Sequence, residues 1–334
     1  MKKINVNKLR KGDIILTTST KFPSAVIRAA TFSDISHAML YVANSSVIDS
    51  TGEGVQARNI DKMRYEDSCA IHVYRPIVQL PEKTIDLVIG YVRSETGAPY
   101  TTSEAGMSAI WSLGRGGKNQ FCSRLVARAY ASVGLELSKN PAFTTPGGLQ
   151  RSSKLREIED AVIMLSADDL DAERALEDTT VGMREVTNKL TEALRNITRS
   201  IRTLSDVYPF LKENPQYDTQ FAEAYVASGY LTYWQVEVNR HPWRYDVFAL
   251  VKMYHGSANK EEILDECREA LRHDEEGDFR HWKVNEKALS DMVDKMPLET
   301  FKLELALYRQ LCMNHKRRID SARLLLKVYG GVTD

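Results

Sequence analysis

One cysteine opens an apolar-periodic run, Phe121-Cys122-Ser123-Arg124-Leu125-Val126-Ala127-Arg128-Ala129-Tyr130. Leu125, Val126, Ala129 and Tyr130 recur at helical spacing, so an amphipathic helix is predicted. Gly114, Gly116 and Gly117 approach it and Gly134 closes it. Cys122 therefore falls at or near a helix N-terminus. There the macrodipole and free N–H groups favour a thiolate, and the same groups can later hold an oxyanion. The stretch also reads as a buried structural cysteine, and taken alone it supports the two readings equally.

A cysteine nucleophile needs a base within hydrogen-bond reach and a group that orients the base. The first half offers His37 and His72. His72 lies mid-strand in Ala70-Ile71-His72-Val73-Tyr74-Arg75, where period-two alternation gives it an ordinary place on a sheet face. His37, at the mouth of a strand, is the favoured base, although a satisfied core histidine fits it too. Asp49 shifts the balance. It follows His37 by twelve residues, across the turn Asn44-Ser45-Ser46, and it interrupts the apolar strand Val47-Ile48-Asp49-Ser50. Near-opposite residues of a hairpin can project from one face. A carboxylate there would fix the imidazole tautomer and stabilise the imidazolium. A turn-proximal solvated carboxylate is the plainer reading of Asp49.

These residues must be positioned by short strands and few helices. Strands are predicted over Ile14-Ile15-Leu16, Ser36 to Val42, Val47 to Ser50, Val55 to Ile60, Ala70 to Arg75 and Ala161 to Leu165. Ser24 can cap a short helix over Ala25 to Ala30, and Pro81 to Val92 reads as a second helix. Gly97 to Tyr100 and Pro141 to Gly148 read as loops. From Asp168 the chain reads as helical, with Met183, Val186, Leu190, Leu194, Ile197, Ile201 and Leu204 forming a seam like that of a coiled-coil hairpin. Further helices are expected at about 217–235, 243–254, 259–272, 284–295 and 298–329.

The totals agree with two domains in 334 residues. Net charge is zero, but residues 1–166 hold 21 Lys+Arg against 15 Asp+Glu, and the remainder holds 24 against 30. That asymmetry is too weak to argue for nucleic acid. Four cysteines without framework spacing suit a reducing compartment. No apolar signal segment and no run of about 18 apolar residues is found. The expectation is thus a protein without a transmembrane segment, cytoplasmic or secreted by a route that uses no N-terminal signal peptide.

Six stretches, in order, resemble circularly permuted NlpC-type papain-like cysteine hydrolases, in particular their YiiX-like branch. They are Gly12-Asp13-Ile14-Ile15-Leu16, Ser36 to Val42, Val47 to Ser50, Gly97-Ala98-Pro99-Tyr100, Phe121-Cys122-Ser123, and Thr145-Pro146 with Leu149. Lecithin:retinol acyltransferases resemble the same plan. The resemblance covers about residues 8–165. It implies a papain-like core with a small sheet packed on the cysteine helix; with the helical pattern that follows, the expected fold is α+β, a permuted papain-like domain over 1–166 and then an all-α helical domain over 167–334. It implies Cys122 as nucleophile, His37 as base and acid, and Asp49 in the third, polar position. Tyr100 matches a tyrosine near the cleft, though it could equally be a packing residue; Ser36 and Ser123, within the matching stretches, join it as substrate-binding candidates. Where branch members often carry acidic residues this chain has Thr101 and Arg124, a departure that bears on the substrate. The implied chemistry is attack on an amide, ester or thioester carbonyl of a peptide, protein or lipid, through an acyl-enzyme and without a cofactor.

Two other readings have their own residues. Cys312 and His315, joined by Cys267 and His273, have ligand-like spacing but lack the paired spacing of zinc sites, so no metal is expected. Gly114-Arg115-Gly116-Gly117-Lys118 lacks the phosphate-loop pattern. Trp234, Trp243 and Trp282 read as core residues. The alternative to an enzyme is a binding module, with the papain-like part as scaffold and the helical half recognising a protein partner.

Overall fold

In a computed structural model, which describes residues 1–18, 34–100, 121–166, 178 and 180–330, the apolar runs of the first half form an antiparallel sheet. Its strands are β2 (Ile14–Thr17), β3 (His37–Ala43), β4 (Ser46–Thr51), β5 (Gly54–Asn59), β6 (Ile71–Pro76) and β7 (Leu155–Glu157), in the order β5-β4-β3-β2-β6-β7. Asn44 and Ser45 both have positive φ, 44° and 55°, which turns β3 tightly back into β4. β2 is buried at every position, which explains an apolar run without alternation. A second, two-stranded sheet joins β1 (Lys2–Ile4) to β8 (Val162–Met164). β1 and β7 carry no apolar run of their own and form by pairing with distant strands, so no local pattern marks them. The helix expected over Ala25 to Ala30, the loop Gly114 to Lys118 and Thr101 lie outside the described residues.

Two helices cover one face of the sheet, α1 (Glu82–Ser94) and α2 (Cys122–Ala131). Val88, Ile89 and Val92 of α1 and Leu125, Val126, Ala129 and Tyr130 of α2 pack on Ile14, Leu16, Ala38, Leu40 and Ile48. Each such buried aliphatic side chain contributes roughly 1.5–3 kcal/mol. The buried Tyr130 hydroxyl donates to the Gly12 carbonyl oxygen, tying α2 to the turn before β2. That turn is held by Asp13, which accepts two bonds from Arg75 at 2.6 and 2.7 Å. Ile15, Met39, Tyr41, Val47 and Val73 fill the other face with Ile4 and Ile60.

The expected Pro141–Gly148 loop is instead a 3-10 turn, Pro141–Phe143, and a short helix α3 (Pro146–Gln150) capped by the Thr145 hydroxyl. Pro at the first helical position and Thr at the cap are start signals that the glycines of Pro146-Gly147-Gly148 obscured.

The chain forms two compact units, Met1–Thr191 with Arg199–Val207, and Glu192–Thr198 with the chain from Tyr208 onward. The seam expected through Leu204 is interrupted: α4 spans Thr180–Ile197 and stops. Thr203 and Asp206 form a capping box that starts a new turn, which breaks the phase of the apolar repeat. Further helices are α5 (Val207–Glu213), α6 (Asp218–Ser228), α7 (Trp234–Arg240), α8 (Val247–Gly256), α9 (Lys260–Glu275), α10 (Arg280–Lys295) and α11 (Glu299–Tyr329). Leu250 and Tyr254 of α8, Ile263, Leu264 and Cys267 of α9, and Ile319, Ala322 and Leu325 of α11 form a core. Asp218 caps α11 from a distance of 81 residues, accepting from the Glu299 and Thr300 amides.

Candidate active site

Cys122 is the first residue of α2. Phe121 before it is extended and offers no side-chain cap, so the amides of the first turn keep no intrahelical acceptor. Arg124 braces this end. Its guanidinium is buried, donates to the Ala142 carbonyl at 2.7 Å and lies 4.3 Å from the centroid of the Phe121 ring. The departure at Arg124 thus has a packing role at the helix entry. The Ser123 hydroxyl is likewise buried and donates to the Thr144 carbonyl at 2.7 Å.

His37 opens β3 and Asp49 lies in β4. The register sets Met39 opposite Asp49, so His37 is the diagonal neighbour of Asp49 on the same face. His37 Nε2 is 2.9 Å from Asp49 Oδ2. Asp49 leaves the other ring nitrogen, Nδ1, unused, and the Cys122 sulfur is close enough to act on the ring electrostatically. Burial by itself would lower the imidazole pKa. The negative charge of the Cys122 sulfur and the bonds to Asp49 and Cys122 outweigh it and push His37 up to about 10. The ring is thereby favoured in its charged form beside the Asp49 carboxylate.

Asp49 is 2% exposed. Burial raises a carboxyl pKa, but His37 and Arg58 reverse the sign and hold Asp49 below the ordinary value. Arg58 Nε donates to Asp49 Oδ1 at 2.8 Å. One terminal nitrogen of the same fork reaches Thr51 Oγ1 at 2.7 Å and Glu53 Oε2 at 2.8 Å. Sequence reading missed Arg58. Its signal was present: a carboxylate that interrupts an apolar strand demands a cation, and Arg58 is the only Lys or Arg of β5.

Tyr100 also senses the sulfur. Burial and the charge of Cys122 raise its phenol to about 12, so its hydroxyl stays protonated and able to donate. Ser36 is buried, and its amide donates to the Thr17 carbonyl at 3.0 Å. Cys122, His37, Asp49 and Tyr100 thus come together, whereas the hydroxyl of Ser123 serves the packing of α2.

His72 lies elsewhere, pairing with Leu16 across β2 while Glu157 lies 2.6 Å from its Nδ1. The possible metal ligands also separate. Burial raises the thiols of Cys267 and Cys312 to about 11, and His315 pairs with Asp274. Among the described residues, the one group of three or more His, Cys, Asp and Glu ligand atoms within 4.8 Å of one another is His273, Glu276 and Asp278, which contains no cysteine. Trp243 packs against the core of the helical unit. No described helix is long and apolar enough to cross a membrane.

Residues 8–155 match the model of a family described as permuted papain-like amidase enzyme, YaeF/YiiX, C92 family. A solved structure titled crystal structure of metalloprotein yiiX from Escherichia coli O157:H7 is 18% identical, with a TM-score of 0.35, over 45% of this chain and 97% of that chain. No curated protein matches the chain.

Proposed function

We propose, for a chain whose residues 8–155 are of the permuted papain-like amidase family, a cysteine hydrolase that cleaves an amide through an acyl-enzyme on Cys122. The observation that carries this reading is the His37 ring held between Asp49 and the Cys122 sulfur. The thiolate attacks the carbonyl carbon, and the electron pair moves onto oxygen. The amides at the start of α2 point along the helix axis as donors suited to that oxyanion; one such donor is worth about 3 kcal/mol. The His37 imidazolium then protonates the departing nitrogen and becomes the base that takes a proton from the incoming water. That water releases the acid and restores the thiolate. Proton transfer of this kind contributes typically about 10²–10⁴-fold. Asp49 keeps Nε2 occupied and so leaves Nδ1 for the sulfur. Tyr100, protonated and near the sulfur, fits a donor to the substrate carbonyl or leaving group. Ser36 is assigned to positioning His37 through the backbone. Esters and thioesters present the same carbonyl, and an acceptor other than water would turn hydrolysis into acyl transfer.

Activity-based probes with acyl, peptidyl and glutamine-mimic warheads test this, with the modified residue mapped by mass spectrometry. The expected result is labelling of Cys122 well ahead of Cys69, Cys267 and Cys312, lost in Cys122→Ala and His37→Gln. Equal or absent labelling at Cys122 would favour the non-catalytic scaffold, with the helical region as a partner-binding element.

A further inference from the structure

The first unit continues beyond the residues that match the family. Thr180–Thr191 of α4 and Arg199–Val207 belong to it. These segments grip two places that lead into the site. The first is β5. Gln56 is the cross-strand partner of Asp49, is 2% exposed, and donates from Nε2 to Asn188 Oδ1 at 2.7 Å. Arg58 and Arg184 share the carboxylate of Glu53, at 2.8 and 3.4 Å. Arg184 is itself fixed by a 2.7 Å bond to Thr180 Oγ1. The second place is the turn before Tyr100. Arg202 makes two bonds to Glu95 at 2.7 and 2.8 Å, and the Leu204 amide donates to the Thr96 carbonyl. Gly97, at φ +83°, lies against Thr191; a Cβ there would meet Thr191 Cγ2 at 2.7 Å.

We propose that α4 is a positioning element of the cysteine site: Asn188 and Arg184 hold β5 at Gln56 and Arg58, and Arg58 in turn fixes the Asp49 carboxylate on His37. The inference rests on the cysteine hydrolase reading above. The buried Gln56–Asn188 bond is the stronger link, since an unpaired buried amide costs about 1–3 kcal/mol. The Glu53 link is half exposed and contributes less. Without them the β4–β5 hairpin keeps its ladder but gains freedom at Asp49. A less firmly held carboxylate stabilises the imidazolium less, and the thiolate–imidazolium pair then forms at a higher pH.

The test is the rate of Cys122 alkylation by iodoacetamide against pH, in the full chain, with site mapping and a thermal melt of each variant. The acid-side midpoint of the wild type is the reference for the variants. Asn188→Leu should raise that midpoint by about half a unit, which lowers the rate about threefold below both midpoints. Asn188→Asp keeps the acceptor oxygen and should restore it. Arg184→Gln, a milder change that guards against misfolding of the first variant, should shift it in the same direction by less. A folded Asn188→Leu and a folded Arg184→Gln with the wild-type midpoint would overturn the inference and leave the hydrolase reading standing, as would a shift that Asn188→Asp does not correct. A wild-type Cys122 without acid-side reactivity would overturn both.

Discussion

The sheet-bearing unit and the helical unit place their charges in opposite ways. In the first, two fully buried carboxylates each face an arginine: Asp49 with Arg58, and Asp13 with Arg75. In the second, most pairs run along helix surfaces, as in Arg268 with Asp265, Arg272 with Glu269 and Glu276, and Lys316 with Asp320. Surface pairs of this kind are worth a few tenths of a kcal/mol. Buried pairs gain little over apolar packing, but breaking one exposes the fold to about 3–5 kcal/mol of unpaired charge. Buried charge is therefore costly to keep, and the first unit concentrates it at the cysteine site and at the turn anchoring the site helix. The helical unit departs from its own pattern at Asp278, buried and 2.7 Å from His273 Nδ1, and at Glu304, which accepts from the Tyr225 hydroxyl and is raised to about 7 by burial.

Four variants test that contrast, in descending order of effect. Asp49→Asn should lower kcat by about 10²–10⁴ with KM nearly unchanged, because the neutral amide can hold the wrong imidazole tautomer. Steady-state kinetics on any amide turned over by the wild type would show it; a loss confined to KM would mean that Asp49 binds substrate. Asp13→Asn should cost about 3–5 kcal/mol in denaturant unfolding, leaving Arg75 without its counter-charge. Its turnover per folded molecule should stay within about twofold, since Asp13 lies outside the site.

Glu304→Gln tests the second of these departures. The folded pKa of Glu304 lies above its ordinary value of 4.5. Its contribution is therefore full below pH 4.5 and is lost as pH rises through about 7. Glu304→Gln should melt higher than wild type at pH 8, by roughly 2–4 °C per kcal/mol recovered, and no higher at pH 4. A gain equal at both pH values would show that the carboxyl is solvated. Arg272→Ala, at an exposed pair, should change unfolding free energy by less than about 0.5 kcal/mol. A cost as large as that of Asp13→Asn would erase the contrast between the units.

Most strands were legible as apolar runs between turn signals, and the cysteine helix and the last three helices because each has enough residues to show a period. β1 and β7 were not, being three-residue strands completed by partners far along the chain. Among the site residues, Cys122, His37 and Asp49 stood out because each is out of place locally: a thiol at a helix start, a histidine at a strand mouth, a carboxylate in an apolar strand. Arg58, Asn188 and Arg184 are ordinary in their own segments. Their roles depend on the β4–β5 register and on where α4 lies against β5, which no local pattern encodes. The apolar repeat through Leu204 misled because periodicity records burial, and Ile201 is buried without being in a helix.

The central claim is that the Cys122 sulfur and the His37 ring form one charged pair. The most direct measurement is the NMR titration of labelled histidine, with His37 assigned by its loss in His37→Gln, in wild type and in Cys122→Ala. The account predicts that wild-type His37 stays protonated to about pH 10 and that removing the sulfur lowers its midpoint. A wild-type midpoint near 6.5, or the same midpoint in both proteins, would contradict it.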